Sequence, residues 1–186
     1  MSLVTGEGMR LRQLLDADWA RLHTFAGQPP RQRTIASAFN PRFATIVLIR
    51  LAQRAHARGQ SRLAKLFSLI NVVVFGIEVP PRLTIGPGLV IPHTHGIVIG
   101  AGAVGTDVTI YQGVTFGAGL ADFDYDLAKR PIIEDGVIVT AGAKVIGPVR
   151  IGARSIVGAN AVVVDDVPPD MLAIGIPARL RPRGRT

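Results

Sequence analysis

Apolar residues in the second half of the chain recur every six positions. The spacing holds without a break from Ile133 onward, and upstream of it the register slips once, within residues 103–107. A second small or apolar residue stands two positions before each of the later apolar positions. Two inward residues separated by one outward residue make a short β-strand, and Gly, Pro, Asn or Asp supplies the corners. The six-spaced positions are Val79, Ile85, Ile91, Ile97, Val108, Val114, Ile133, Val139, Val145, Ile151, Val157 and Val163.

Short strands of this kind predict a solenoid, because no single unit buries its own apolar face and successive units must stack. A long helix would instead show a period of about 3.6 residues. We predict a parallel β-helix over residues 77–178, with a loop at 118–132, followed by a basic tail at 179–186.

Stacking also predicts which outward residues meet. If three strands make one coil, residues eighteen apart lie on the same outer face, so Ile138 stacks on Ile156 and Lys144 on Val162. An apolar outer face on a solenoid predicts a contact between subunits.

The first 76 residues show helical spacing instead. Apolar residues fall at three- and four-residue steps over residues 11–25, and residues 44–57 and 62–74 are rich in Leu, Ala and Arg. Prolines or glycine interrupt the pattern at 28–30, 40–41 and 59. The predicted fold is therefore mainly β, with a short N-terminal α-helical domain at residues 1–76.

The charge is distributed unevenly between these two parts. Residues 1–75 hold eleven Lys and Arg against three Asp and Glu, whereas residues 76–186 hold ten of each. A basic helical region is either a solvated helical face or a surface for an anionic partner, such as peripheral contact with a membrane. Aromatic residues interleaved with the arginines are too few for a nucleic-acid module, so no nucleic-acid partner is expected.

The chain has no cysteine, which fits a reducing compartment and excludes disulfides and thiolate metal sites. Its longest apolar stretch, residues 67–75, is far shorter than the ~20 residues of a membrane span. The first residues lack the apolar core of a signal peptide. We therefore expect a cytoplasmic protein, with any membrane contact peripheral.

Two of the four histidines, His93 and His95, lie in the apolar stretch 91–100. An imidazole titrates near neutral pH, so such a ring either fills a packing position or serves in proton transfer. His93 falls at a predicted corner, and His95 falls at a predicted inward position, where a buried ring needs hydrogen-bond partners. A zinc site of the β-helix trimers needs about three ligands, and only these two histidines lie in the predicted β-helix, so no metal site is predicted.

Several segments together make the chain resemble the hexapeptide-repeat acyltransferases, and within them the serine acetyltransferase branch. They are VFGIEV at 74–79, IPHTHGIVIG at 91–100, KRP at 129–131, AGAKVIG at 141–147, VPP at 167–169 and GIPAR at 175–179. The resemblance covers about residues 42–180. It implies a left-handed parallel β-helix, assembly as a homotrimer or a dimer of trimers, and acetyl-CoA as the co-substrate.

The resemblance also implies roles for single residues. The general base of the family is the His of an Asp-His-Ala-Thr-Gly-like motif, which His93 matches, and Glu78, fifteen residues earlier, matches its carboxylate partner. A base removes the proton from the acceptor hydroxyl, and a carboxylate orients the imidazole and stabilises its cation. The motif offers no cysteine or serine nucleophile, so we expect direct transfer without an acyl-enzyme. For His95 we expect a structural role.

The donor is expected in a groove between neighbouring β-helices, where small residues let the pantetheine arm approach the backbone closely. Arg179 is the candidate partner for the phosphates. The candidate small residues are Gly117, Ala118, Ala141, Gly142 and Ala143.

The acceptor side departs from the serine acetyltransferase pattern. Pro92 stands where that branch has Asp, and Lys129-Arg130 stands where it has an Arg-His pair. The short basic helical region resembles that of polysaccharide-modifying relatives. The sequence therefore favours a saccharide acceptor bound near Pro92, Lys129 and Arg130, with acidic residues of 122–126 as partners for sugar hydroxyls. L-serine is the alternative acceptor, and a non-catalytic trimeric scaffold is the second alternative.

Overall fold

The described residues before Ile77 form α-helices in the three regions that the spacing predicts, and a 3₁₀ helix between the first two. In this computed structural model, which describes residues 8–120, 122 and 124–184, α1 spans Leu11–Phe25, the 3₁₀ helix Ile35–Phe39, α2 Pro41–Ala57 and α3 Ser61–Phe75. The fixed φ of Pro41 suits the first position of α2, and the Oδ1 of Asn40 accepts a hydrogen bond from the Arg42 N–H. α3 ends at Gly76, whose φ of 64° lies in the left-handed region.

From Ile77 onward the described chain forms short strands of two to four residues. They are β1 Ile77–Glu78, β2 Thr84–Ile85, β3 Ile97–Ile99, β4 Ala103–Val104, β5 Thr109–Ile110, β6 Thr115–Gly117, β7 Ile132–Ile133, β8 Ile138–Val139, β9 Lys144–Ile146, β10 Arg150–Ile151, β11 Ile156–Val157, β12 Val162–Val163, β13 Met171–Ile174 and β14 Arg179–Pro182. The long loop, residues 118–131, separates β6 from β7 and contains a second 3₁₀ helix, Leu127–Lys129.

The chain visits three parallel sheets in turn, and each turn of the chain makes one coil. The first sheet contains β1, β3, β6, β9 and β12, the second β2, β4, β7 and β10, and the third β5, β8, β11 and β13. Ile138 lies beside Ile156, and Lys144 lies beside Val162, as the eighteen-residue coil predicts. The fold is a left-handed parallel β-helix preceded by a helical region, and this prediction is confirmed.

Every six-spaced apolar residue is buried inside the β-helix. After the slip of register, the spacing alone identifies the wrong residues as the continuation of the six-residue series. Ile110 lies beside Val139 and Phe116 beside Val145, so Ile110 and Phe116 continue the series after the slip. Val108 is buried as predicted, but it occupies the inward position two residues earlier in the strand.

The last part of the described chain is a strand where a free tail was expected. β14 pairs antiparallel with β13, with Arg179 beside Ile174 and Pro182 beside Met171. The predicted basic tail therefore contains a strand, whose backbone groups extend the ladder at the edge of the third sheet.

A buried ion pair, which we call the helical junction, joins α1 and α2 to the β-helix. Asp18 of α1 and Arg50 of α2 are 0% and 1% exposed, and the Nε of Arg50 donates to Asp18 at 2.9 Å. Arg50 also donates to the carbonyl oxygens of residues 85 and 86 at 2.7 and 2.6 Å. Asp18 accepts hydrogen bonds from the N–H groups of residues 88 and 89 at 2.8 and 2.9 Å. The helical region is therefore fixed to the first coil by polar contacts on both members of the pair.

Part of the basic excess of the helical region is internal to the fold. Arg50 is neutralised at the helical junction, and Arg33 pairs with Asp16 at 2.8 Å. Across the described residues, we find no helix with the length and apolar character required to span a bilayer.

Candidate active site

His93 lies on the edge of the β-helix where the third sheet turns into the first. We call the stacked turns along this edge the histidine corner, residues 92–96, 111–113 and 140–142. Backbone hydrogen bonds tie each turn to the next, from Gly113 N–H to the His95 carbonyl at 3.1 Å and from Gly142 N–H to the Gln112 carbonyl at 2.9 Å. The backbone that carries His93 is therefore held by the coil below it.

The imidazole of His93 is exposed and has an aromatic neighbour that the sequence reasoning missed. The ring of Tyr111 lies 6.2 Å from it, centroid to centroid, with an interplanar angle of 40°. Phe25, near the end of α1, packs edge-on against Tyr111 at 6.3 Å. Tyr111 follows His93 by eighteen residues, so the coil length was a signal that could have found it. Nothing in the spacing of the repeats points to Phe25.

The prediction that His95 faces inward is wrong. Its side chain is exposed, and the buried residues that flank the turn are Ile91 and Ile97. The turn needs left-handed backbone at two successive residues, φ 82° at His95 and φ 70° at Gly96, and this directs the ring outward. The His95 N–H donates to the Phe75 carbonyl at 2.9 Å, so its backbone holds the turn against the end of α3.

Glu78 is exposed on β1, where its Cα lies beside that of Val98 in β3. Within the described part of the chain, no hydrogen bond or ion pair joins the Glu78 carboxylate to the His93 ring. Both side chains face solvent near the start of the first sheet. The arrangement leaves the imidazole accessible to a substrate hydroxyl.

Pro92, one of the three predicted acceptor contacts, is buried. Its burial leaves little surface with which to contact an acceptor. It supplies neither a carboxylate nor an N–H to a substrate, since proline has no backbone donor.

Arg130 occupies a different environment from the one that the sequence predicted. Its guanidinium is 9% exposed and pairs with Asp122, itself 3% exposed, through Nε at 3.0 Å and a terminal nitrogen at 2.8 Å. The other terminal nitrogen donates to the Gly100 carbonyl at 2.9 Å. A cation that is buried and bonded in this way anchors the long loop to the β-helix, so the structure does not support Arg130 as a direct contact of an acceptor.

Tyr125 completes this anchor. The guanidinium carbon of Arg130 lies 3.6 Å from the centroid of the Tyr125 ring, and that of Arg82 lies 4.7 Å from it. The Tyr125 hydroxyl donates to the Ala101 carbonyl at 2.8 Å. Burial raises the pKa of Tyr125 above its usual value, although the charges of Arg130 and Arg82 act in the opposite direction.

Lys129 is the loop cation that remains exposed. Its side chain is 63% exposed and lies 3.4 Å from Asp126, within the second 3₁₀ helix. The Ala128 N–H bonds to Asp126 and lowers the pKa of that carboxyl. Lys129 is therefore the predicted acceptor contact that the structure leaves free to meet a substrate.

The residues predicted to bind the donor fall on two different edges of the β-helix. Ala141, Gly142 and Ala143 belong to the histidine corner or follow it directly. Gly117 and Ala118 lie at the other end of the first sheet, because Gly117 is beside Ile146 at the end of β9. The two groups are separated by about 10 Å along the strands, at ~3.3 Å per residue. Arg179 is exposed on β14, in the third sheet.

The long loop and His93 are likewise separated. The loop is anchored at Gly100 and Ala101, where the first sheet turns into the second, and we call this edge the loop corner. His93 lies at the opposite end of the first sheet. In one copy of the chain, Lys129 and His93 therefore face different edges. In the described part of the chain, no group of three or more His, Asp or Glu is placed to hold a metal ion.

No protein-family model matches the chain. Comparison with curated proteins gives a serine acetyltransferase of Mycobacterium tuberculosis, 42% identical over 133 residues, which cover 70% of this chain and 56% of that protein. A serine acetyltransferase of Helicobacter pylori is 39% identical over 140 residues, which cover 75% of this chain and 80% of that protein. The chain thus spans little more than half of the first relative and most of the second.

Solved structures agree with these relatives. A serine acetyltransferase in complex with CoA superposes with a TM-score of 0.80 at 27% identity, over 96% of this chain and 72% of that one. A serine acetyltransferase of Neisseria gonorrhoeae in complex with serine gives a TM-score of 0.79 at 28% identity, over 95% of this chain and 71% of that one. With its β-helix, its exposed His93 and these relatives, the chain belongs to the serine acetyltransferase family of hexapeptide-repeat acyltransferases.

Proposed function

We propose that this chain transfers the acetyl group of acetyl-CoA to the hydroxyl of L-serine, with His93 as the general base. The observation that supports this most is the similarity to the Helicobacter pylori serine acetyltransferase over most of the length of that enzyme. The exposed imidazole on the histidine corner is consistent with it, because a general base must reach the proton that it removes.

The proposed reaction is a direct displacement. A ring nitrogen of His93 accepts the proton of the serine hydroxyl while the hydroxyl oxygen attacks the thioester carbonyl carbon. The C–S bond then breaks, and the sulfur of CoA leaves with the proton that the imidazolium returns. The products are O-acetylserine and free CoA, and no acetyl group is attached to the protein at any step.

Glu78 is proposed to orient His93 and to stabilise its cation. Its side chain is exposed on β1, which pairs with β3, the strand that follows the turn carrying His93. Catalytic hydrogen bonds are often long or absent without substrate and tighten when the substrate complex forms. Tyr111 is proposed to limit the positions of the His93 ring from the opposite side, because it packs between that ring and Phe25.

A homotrimer is proposed because the site is incomplete in one copy. Lys129 on the loop corner and His93 on the histidine corner lie at opposite ends of the first sheet. A neighbouring copy that places its loop corner beside the histidine corner would bring the two side chains together. The same contact would also place Gly117 and Ala118 of one copy near Ala141 and Gly142 of the next, forming the groove for acetyl-CoA.

α3 offers a surface for such an assembly. Apolar side chains are exposed along it, and α3 runs directly into β1, which carries Glu78. Exposed patches of this kind mark contacts between proteins. The exposed apolar residues of α3 are Leu63, Leu66, Leu69, Ile70, Val72, Val73 and Val74.

The relatives support L-serine rather than the saccharide that the sequence favoured, and they give no support to membrane contact by the basic region. The argument for an unusual acceptor rested on Pro92 and on the Lys129-Arg130 pair. Pro92 is buried, and Arg130 is bonded to Asp122, so neither side chain selects the acceptor directly. We propose that Lys129 pairs with the carboxylate of L-serine.

The test is release of free CoA from acetyl-CoA, measured with L-serine, homoserine and a set of saccharides as acceptors. We expect the highest kcat/KM with L-serine. His93→Ala should lower kcat by about 10²–10⁴, the usual effect of removing a positioned base. His95→Ala is the matched control, because it removes an exposed imidazole from the same turn, and it should change kcat far less.

Two results would contradict the proposal. Turnover with a saccharide but none with L-serine would favour the saccharide acceptor that the sequence indicated. Near-full turnover by the His93→Ala variant would remove the assignment of the base.

A further inference from the structure

A cavity of about 300 Å³ lies between the helical region and the first coil of the β-helix. Its wall is formed by Leu11 and Leu14 of α1, by the second half of α2 and by residues 81–85. These residues lie outside both the histidine corner and the long loop. The volume is at the lower end of the range of small-molecule sites, about 300–1,000 Å³, and such sites often lie between domains.

The wall of this cavity is held in place by polar contacts. The Nε2 of Gln53 donates to the carbonyl of Leu83 at 2.6 Å, and its Oε1 accepts from Arg50 at 3.3 Å. Arg50 is fixed in turn by Asp18 and by the first coil. Arg50 and Gln53, which both line the cavity, are therefore held by contacts within the protein.

Two arginines, Arg54 and Arg82, and His56 are exposed at the cavity. Among the lining residues that the structure describes there is no Asp or Glu. In the described part of the chain, none of the three has a carboxylate within 4.0 Å. The wall between them is apolar, with Leu11, Leu14 and the buried Leu83. Cations around an apolar wall match a ligand with an apolar body and an anionic group.

We propose that this cavity is a second ligand site, which binds a small carboxylate with an apolar tail. The guanidinium groups of Arg54 and Arg82 pair with the carboxylate, because Arg presents parallel N–H donors that match its two oxygens. The apolar tail lies against Leu11 and Leu14 and is removed from water. His93 and the other residues of the histidine corner do not line this cavity.

Arg82 links the cavity to the long loop. Its guanidinium lies 4.7 Å from the centroid of the Tyr125 ring, and Tyr125 in turn packs against Arg130. A carboxylate that pairs with Arg82 changes the electrostatic contact of that cation with the ring. Occupancy of the cavity therefore alters the surroundings of Tyr125, although the ligand does not touch the loop.

The experiment is calorimetric titration of the full chain with octanoate, together with NMR observation of the Tyr125 ring. We expect saturable binding of octanoate, with the Tyr125 resonances moving along the same binding curve. Arg54→Gln and Arg82→Gln should each weaken binding about tenfold or more, as loss of a charge-assisted hydrogen bond does. Arg58→Gln is the matched control, since Arg58 is exposed at the end of α2 and does not line the cavity, and it should leave binding unchanged.

Octylamine and inorganic phosphate are the comparison ligands, because they supply the apolar tail without the anion and the anion without the tail. Both should bind at least tenfold more weakly than octanoate. Equal weakening by Arg54→Gln and Arg58→Gln would show a general effect of surface charge and overturn the site. Absence of octanoate binding, or equal binding of octylamine, would overturn it as well. None of these measurements uses acetyl-CoA, so the outcome is separate from that of the proposed reaction.

Discussion

Two buried Arg–Asp pairs hold the non-repeating parts of the chain against the β-helix, and they are built differently. At the helical junction, Arg50 and Asp18 each bond directly to the backbone of the first coil. Arg130 and Asp122 both belong to the long loop. Among the described contacts, this pair makes one hydrogen bond to the β-helix, from Arg130 to the Gly100 carbonyl.

The two Arg–Asp ion pairs are therefore expected to have different roles. Breaking the helical junction leaves a charge buried between two parts of the fold, where water cannot reach it without their separation. The loop pair lies within one surface loop, so we expect that water can reach its charges after a local displacement of that loop. We therefore expect the first pair to govern stability and the second to govern the position of Lys129.

The largest effect is expected from Arg50→Met. The variant keeps much of the apolar volume but leaves Asp18 as an unpaired buried charge, which costs about 3–5 kcal/mol of the free energy of unfolding. Urea unfolding measures it. Arg58→Met, an exposed arginine at the end of the same helix, is the control and should change the free energy by less than about 0.5 kcal/mol. Similar losses in both variants would show that the junction has no special role.

Arg130→Met should affect activity more than stability. The unpaired Asp122 can become solvated when the loop moves. We therefore expect the free energy of unfolding to fall by no more than about 1–3 kcal/mol. The displaced loop should raise the KM for the acceptor, measured by CoA release. Lys129→Met is the comparison, because it removes the proposed acceptor contact without touching the anchor. It should raise the same KM with an unchanged melting temperature, and a melting temperature lowered as far as in Arg130→Met would contradict the division of roles.

Tyr125→Phe should have a smaller effect, with a distinctive pH dependence. It removes the hydrogen bond to the Ala101 carbonyl, worth about 1 kcal/mol. Because burial raises the pKa of Tyr125, the anchored loop holds its proton more tightly than the solvated loop does. The stabilising contribution is present below the ordinary pKa near 10 and is lost as pH rises above it. Hydrogen exchange of the loop between pH 8 and 11 should show this loss in the wild type beyond that in Tyr125→Phe, and identical pH profiles would contradict it.

The smallest effect is expected at the exposed pair of Arg154 and Asp170. Both side chains are more than half exposed, so solvent screens their attraction. The hydrogen bond from Arg154 lowers the pKa of Asp170, and the resulting stability is present above the usual carboxyl value of 3.8 and is lost as pH falls below it. Urea unfolding of Asp170→Asn should show a small difference from the wild type at pH 7 that disappears at low pH. An effect as large as that of Arg50→Met would show that exposure does not separate these pairs.

Much of the fold could be predicted because it depends on neighbours along the chain. The period of six names the buried residues of the β-helix, and the apolar spacing of 44–57 locates α2, which begins three residues earlier at Pro41. The coil length of eighteen residues also predicts that Tyr111 lies below His93. The prediction for His95 is wrong because it continued the alternation of inward and outward side chains through a turn, where left-handed backbone interrupts that alternation.

The solenoid, the order of its corners and the position of His93 on one of them could be read from the amino-acid sequence, since each of these follows from short-range periodicity. It did not distinguish Arg50 from Arg58, or Arg130 from Lys129, because neighbouring basic residues look alike in a sequence. The folded chain shows which of them is buried, because it brings Asp18 to Arg50 across 32 residues and folds Asp122 back onto Arg130. The burial of a charge depends on a partner and on packed neighbours, and the sequence pattern does not specify either of them.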